Sequence, residues 1–123
     1  MVSYKFMTRI TKLDDIEIYT DSLDDARKIY QLVRDKKLVK EYSLIDQIKR
    51  ASLSIPANIA EGYGRNTKKD FSHFLSIALG SVNEVLVYLD FIHLEFGIEV
   101  EQLKQSYIIL TKRIHSFRTY LLK

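Results

Sequence analysis

Six polar side chains recur at helical spacing between residues 44 and 65, and their types could bind a ligand or hold helices together. They are Gln47, Arg50, Ser54, Asn58, Glu61 and Arg65. At about 100° per residue these positions fall within a sector of about 80°. We interpret this polar stripe as a buried network near a subunit boundary, in which Arg50 or Arg65 neutralises Glu61. In that network Asn58 would satisfy backbone groups near Pro56, which removes one helical hydrogen bond. The alternative is a ligand or nucleic-acid site.

Two sets of basic side chains have the spacing of helix faces and could contact phosphates. The first set is Arg27, Arg34 and Lys37, and the second is Lys104, Lys112, His115 and Arg118. Such faces neutralise the charge of a nucleic-acid backbone and release its counterions. The sequence contains no aromatic ribonucleoprotein motif, zinc finger or glycine-rich phosphate loop. A solvated face therefore remains the alternative to an RNA-binding surface.

Acidic residues and histidines offer little support for catalysis or metal binding. Two pairs have the Glu-x-x-His spacing of di-iron bundles: Asp70 with His73, and Asp90 with His93. Both pairs lie in one predicted helix about 30 Å apart, so they cannot share a metal. Glu61 and Glu84 could act as acid and base, but no nucleophile with an activating base accompanies them. We therefore predict a protein that is not an enzyme and that has no metal or cofactor.

Four segments with helical period must position these residues. The predicted helices span about 15–37, 42–64, 68–96 and 99–122, and the predicted core face of the first runs through Tyr19 and Leu23. Ser22 with Asp25 could form a capping box that starts this helix late. Thr67 with Asp70, and then Gly97, delimit the third helix. Short breaks make consecutive helices antiparallel neighbours.

This pattern predicts an all-α fold, an up-down-up-down four-helix bundle over residues 15–123. Residues 1–14 alternate like a strand and are predicted to form an N-terminal arm. The chain of 123 residues has room for one domain. Because it contains no cysteine, a disulfide scaffold, a thiolate metal site and a cysteine nucleophile are excluded.

The net charge of +3 conceals strong segregation along the chain. Residues 1–26, 27–69, 70–103 and 104–123 carry net charges of −3, +7, −6 and +5. The longest uncharged run, residues 71–83, has 13 residues, which is short of the roughly 20 that a membrane-spanning helix needs. We expect a cytoplasmic protein without a membrane segment.

The third helix carries more apolar residues than the interior of one bundle requires. Besides its core positions it has further apolar side chains: Phe74, Ile77, Leu79, Leu86, Val87, Tyr88, Phe91 and Leu94. A helix that is apolar nearly all round is buried nearly all round. Since one bundle cannot bury both sides of a helix, we predict a homo-oligomer.

The stretch from Leu44 to Arg65 also resembles a known family. Its run S-I-P-A-N-I-A-E-G covers residues 54–62, and the similarity continues through Phe71, Phe74–Leu75, Ile77–Ala78, Gly80–Ser81, Glu84 and Leu89. In these residues the chain resembles the four-helix-bundle family of bacterial 23S rRNA intervening-sequence proteins. A more distant relative is the accessory variability protein of diversity-generating retroelements.

The resemblance implies a left-handed up-down bundle that assembles into a ring-shaped pentamer without enzymatic activity. The retroelement relative implies a basic pentamer that contacts a reverse transcriptase and its RNA. We therefore expect a non-enzymatic oligomeric scaffold that binds RNA or a ribonucleoprotein through its basic faces. The alternative is a protein-interaction accessory subunit, for example of a retroelement reverse transcriptase.

Overall fold

Four α-helices account for most of the chain in the computed structural model, which describes Leu13 and residues 16–123. They are α1 (Glu17–Leu32), α2 (Tyr42–Tyr63), α3 (Lys68–Phe96) and α4 (Glu101–Leu121), with a short 3₁₀ turn at Lys36–Leu38. The described part contains no strand. The predicted fold class, an all-α helical bundle, is confirmed. The predicted arm, residues 1–14, lies outside the described residues except for Leu13, which packs against the core.

Each helix packs against its neighbours in the chain, and α4 closes the bundle against α1. Ser54 of α2 meets Ser81 of α3 with 2.9 Å between the hydroxyl oxygens. Lys37, just beyond α1, donates to the backbone carbonyl of Phe96 at the end of α3. The bundle therefore places the ends of α1 and α3 together, and the end of α4 beside the starts of α1 and α3.

The core is a column of aliphatic side chains from all four helices. The fully enclosed members include Ile29, Ile48, Ile55, Ile59, Leu75, Val82, Leu89, Ile92, Leu110 and Ile114. Burial of a side chain of this size stabilises the fold by about 1.5–3 kcal/mol. The spacing of three and four residues between these positions is what places them on one face of each helix.

The first helix differs from its prediction in extent and rotation. It begins at Glu17, so Ser22 and Asp25 do not cap a late start, and it ends at Leu32, five residues before the predicted end. After it, the Asp35 carboxylate accepts a hydrogen bond from the backbone N–H of Lys37 and holds the 3₁₀ turn. The core face also runs through Ile18, Ser22 and Asp25, whereas Leu23 is exposed.

Local signals set both ends of α3. The Thr67 hydroxyl accepts a hydrogen bond from the backbone N–H of Asp70 at 3.1 Å, as a capping residue should. At the other end Gly97 has a φ of 68°, in the left-handed region that glycine adopts without a steric penalty. Both predicted boundaries of this helix therefore have a visible physical cause.

Candidate nucleic-acid interface

The basic face predicted on α4 separates into two parts in the structure. Lys104 forms an ion pair with Asp90 of α3, with 2.7 Å between Nζ and Oδ1. This hydrogen bond raises the pKa of the Lys104 ammonium. Arg118 donates from Nε to the Ser72 hydroxyl of α3 at 3.0 Å, whereas Lys112 and His115 are exposed. The Lys104 charge is therefore balanced within the bundle, and the other three residues lie toward the end of the helix.

Antiparallel packing adds two lysines to this end of α4. Lys68 and Lys69 belong to the first turn of α3, and the bond from Arg118 to Ser72 places that turn beside the last turns of α4. We call this surface the basic end, and it comprises Lys68, Lys69, Lys112, His115, Arg118 and Lys123. No acidic residue follows Glu101 along α4, although Asp70 lies in the first turn of α3. Sequence reasoning missed Lys68 and Lys69, because only the pairing of helices brings them to α4.

The basic residues predicted on α1 do not form one continuous face. Arg27 and Arg34 line a groove between α1 and α2, together with Leu23, Tyr30 and Leu53. The groove has a volume of about 510 Å³. Lys37 lies beyond the end of α1 and donates instead to the Phe96 carbonyl. The structure thus places two of the three cations beside exposed apolar side chains.

The polar stripe of α2 lies on the side of that helix toward α3. Asn58 donates from Nδ2 to the backbone carbonyl of Ser54 at 2.8 Å and to its hydroxyl at 3.0 Å, and this hydroxyl meets Ser81. Gln47 accepts a long hydrogen bond of 3.5 Å from the Tyr88 hydroxyl. The stripe therefore links α2 to α3 at Ser54 and Gln47, and Asn58 supports the Ser54 hydroxyl from within α2.

Its charged members are more exposed than the expected buried network. Arg65 pairs with Glu61 at 2.8 Å, as one of the two predicted alternatives requires, and its guanidinium also lies over the Phe74 ring. Arg50 pairs with Asp46 instead. All four charged side chains of these pairs are largely exposed, because Asp46, Arg50 and Glu61 lie nearly opposite the buried face of α2. In the single chain the predicted network is therefore partly buried at Ser54 and Asn58, and its charged members are exposed.

The carboxylates considered for acid–base chemistry do not meet. Since Ser54 lies opposite Ser81 in an antiparallel pair, Glu61 lies level with Phe74, which is ten residues or about 15 Å along α3 from Glu84. His93 is held by a 3.0 Å contact between Nδ1 and the backbone carbonyl of Ile98. Among the described residues, no three His, Asp or Glu side chains are grouped to hold a metal ion.

Two ionisable groups are enclosed between α1 and α4. Asp25 is 4% exposed and accepts a hydrogen bond of 2.5 Å from the Ser106 hydroxyl. Burial raises the pKa of the Asp25 carboxyl above its ordinary value. Burial, with the Asp25 charge beside it, also raises the pKa of the Tyr107 hydroxyl, which has no hydrogen-bond partner within the described part of the chain. Around this pair, Arg113 joins α4 to Glu17 and Asp21 of α1.

We expect Asp25→Asn to raise the free energy of unfolding at pH 7. Because the folded-state pKa lies above the ordinary value of 3.8, stability from this group is fully present below pH 3.8. It is lost as the pH rises through the folded-state pKa. Asparagine keeps an acceptor oxygen for Ser106 and does not ionise. Urea unfolding from pH 4 to pH 7 measures the effect.

The control for this substitution is Asp46→Asn, since Asp46 is exposed, pairs with Arg50 at 3.0 Å and lies on α2, away from Asp25. Its stability should follow the pH profile of the unmodified protein. Identical pH profiles for the Asp25 variant and the unmodified protein would contradict the assignment of a buried, proton-binding carboxyl.

Length and composition alone would also allow α3 to cross a bilayer. The core helix of a soluble protein gives the same signal, and Phe71, Leu75, Val82 and Leu89 of α3 are enclosed by the other helices. This single feature is weak support for a membrane segment, and the expectation of none stays a prediction.

Comparison with known proteins agrees with the bundle. The chain is similar to a protein with unknown function from the S23 ribosomal protein family of Bacteroides thetaiotaomicron VPI-5482, whose crystal structure superposes with a TM-score of 0.73. The two share 29% sequence identity over 82% of this chain and 97% of the other. No curated protein matches the chain significantly. Residues 14–116 match the family model of the 23S rRNA-intervening sequence protein. The chain therefore belongs to the 23S rRNA-intervening sequence protein family.

Proposed function

We propose that this protein is a non-enzymatic oligomeric scaffold that binds RNA through the basic end. The observation that carries the proposal is the convergence of α3 and α4, which gathers six basic or titratable side chains on one surface. Lysine and arginine groups at such a surface displace the counterions condensed on a phosphate backbone. The polar stripe, in which Ser54 meets Ser81 of α3 and Asn58 bonds back to Ser54, has a structural role in this proposal.

Oligomerisation would strengthen such binding. A ring, pentameric as the family resemblance implies, would repeat the basic end in each copy and multiply the chain's net charge of +3. Several weak phosphate contacts on one RNA then act together, because each contact after the first is intramolecular. The proposed ligand is a structured RNA that is longer than a single basic end. We place both the protein and this RNA in the cytoplasm as part of the proposal.

Binding of a structured RNA, measured over a series of salt concentrations, tests the proposal. Lys69 and Lys112 are both exposed, so Lys69→Glu with Lys112→Glu should leave the fold intact. We expect at least about a tenfold loss of affinity, and a salt slope smaller by about 2 if each lysine contacts one phosphate. Filter binding provides the affinities, and circular dichroism checks the helices.

Lys36→Glu with Lys40→Glu is the matched control, because it makes the same charge change at the opposite end of the bundle. This variant should retain most of the affinity. Equal losses in both variants would show a response to net charge rather than a defined surface. Absence of binding at low salt, or an affinity that does not change with salt, would contradict the RNA proposal. Loss of assembly in the variant with Lys69→Glu and Lys112→Glu would assign the basic end to a subunit interface.

The alternative proposal is a protein-interaction accessory subunit, for instance of a retroelement reverse transcriptase. It is favoured by one observation, the apolar side chains that α3 leaves exposed. If RNA binding is absent while assembly persists, this second function becomes the better explanation.

A further inference from the structure

The outward side of α3 carries an apolar surface that its own bundle does not cover. Val87, Phe91 and Leu94 are 64%, 50% and 82% exposed, and Ile77 is also exposed on this side. At about 100° per residue these four positions and Gly80 fall within a sector of about 100°, opposite to the buried face. We call this surface the α3 face. Four large apolar side chains exposed on one side of a helix are typical of a protein contact rather than of scattered surface residues.

Gly80 lies in the middle of the α3 face without a local reason for being glycine. A Cβ atom built at this position meets nothing within 4 Å, and φ is not positive. Glycine in a helix interior destabilises the helix relative to alanine. Because no neighbour in its own chain requires a glycine here, the position is suited to the close approach of another backbone.

The groove between α1 and α2 has the complementary chemistry. Leu23, Tyr30 and Leu53 form its apolar lining, and Arg27 and Arg34 supply positive charge. At the same 100° per residue, Glu84 lies within the α3 face, between Gly80 and Val87, and Glu95 lies at its edge; residues 70–103 contain no lysine or arginine. Two α3 faces packed against each other would bring these carboxylates together, whereas the groove offers them arginines.

We infer that the α3 face of one copy seats in the α1–α2 groove of a second copy. This inference rests on the proposed oligomeric scaffold and names its contact. The face and the groove are different surfaces of one bundle. Each copy therefore binds one neighbour through its α3 face and another neighbour through its groove. Such a heterologous contact continues from copy to copy and closes into a ring when the rotation between copies allows it.

Two variants separate this arrangement from a symmetric one. Val87→Glu with Leu94→Glu disables the face, and Arg27→Glu with Leu53→Glu disables the groove; all four residues are exposed, so the fold should survive. We expect each variant to self-associate roughly 100-fold more weakly than the unmodified protein, as two losses of about tenfold combine. Analytical ultracentrifugation at micromolar concentration measures the assembly, and circular dichroism checks the helices.

Mixing the two variants provides the decisive measurement. Each retains one intact surface, so an equimolar mixture should form one-to-one dimers and nothing larger. A groove variant that stays assembled beside a monomeric face variant would show that α3 faces pair symmetrically. The inference would also be overturned if both variants still self-associate, if the mixture forms no dimers, or if the unmodified protein is a monomer.

Gly80→Ala adds a test that does not introduce charge. It should stabilise the helix of the isolated chain and yet weaken self-association at least about tenfold, since a methyl group would enter the contact. Gly64→Ala is the control, because a Cβ there has ordinary contacts of 3.7 Å and lies away from the α3 face. Unchanged self-association in Gly80→Ala would contradict close approach at this position.

The RNA experiment and the mixing experiment fail independently. If the protein forms rings that do not bind RNA, the RNA proposal is contradicted and the contact between face and groove is not. If the protein binds RNA but its copies do not pair face to groove, the contact is contradicted and RNA binding is not.

Discussion

Gly62→Ala should destabilise the bundle by about 1–3 kcal/mol, which is the usual cost of overpacking a well-filled interior. A Cβ at this position would lie 2.7 Å from Cδ1 of Phe71 and 2.9 Å from Cβ of Phe74. The new Cβ would also lie 3.2 Å from the backbone carbonyl oxygen of Phe71, which can move only with the α3 backbone. The Phe71 ring could rotate, but Cβ of Phe74 moves only with the α3 backbone. The last turn of α2 would therefore have to move away from α3.

Urea unfolding followed by circular dichroism measures this loss. Gly64→Ala, two residues further along the chain, is the matched control, because its φ is −77° and its nearest new contacts are ordinary. It should change the free energy of unfolding by less than about 0.5 kcal/mol. A similar result for both glycines would mean that α2 and α3 are not closely packed at Gly62.

Gly97→Ala should cost about 1–2 kcal/mol for a different reason. Gly97 has a φ of 68° and donates its backbone N–H to the carbonyl of His93, which ends α3. No side chain obstructs a Cβ at this position, so the expected cost is entirely conformational. The same urea measurement applies.

Gly97→Asn distinguishes this cause from a general loss at the turn. Asparagine adopts the left-handed region more readily than alanine, so it should cost less. If the asparagine variant is as unstable as the alanine variant, a contact rather than the backbone angle is responsible.

The helices of this fold could be predicted largely from sequence because their signals are local. Thr67 and Gly97 act within one turn of the helix end that each one determines, and the fully enclosed residues of α3 keep a strict spacing. The end of α1 was predicted too late. The turn held by Asp35 competes with continuation of the helix, and nothing in the apolar pattern records that competition.

The rotation of α1 was harder to predict for a related reason. Ser22 and Asp25 occupy its core face, and a sequence pattern assigns polar residues to the surface. The partner that makes this burial possible is Ser106, 81 residues away, so the local sequence does not contain it. Leu23 was correspondingly placed in the core, whereas it lines the groove with Arg27.

The candidate interface depends even more on contacts between helices. Lys104 and Arg118 share a face of α4 but have different partners on α3. The Asp90 carboxylate balances the charge of Lys104, whereas the Ser72 hydroxyl leaves the charge of Arg118 unbalanced. Lys68 and Lys69 join the basic end only because α3 begins where α4 finishes. Residue types and helical period therefore identified most of the cations, and the rotation and pairing of the helices decided which of them lie together.

The seam between α1 and α4 has a consequence for how the bundle folds. Three of the four helix pairs join consecutive helices and form through short loops, whereas Arg113 meets Glu17 across 96 residues of chain. Pairs that are close in sequence cost less loop entropy and form early. Closure of α1 onto α4 should therefore be the last step of folding. In the native state, amide hydrogens of α1 and α4 should then exchange with solvent through partial openings of this seam that leave α2 and α3 protected.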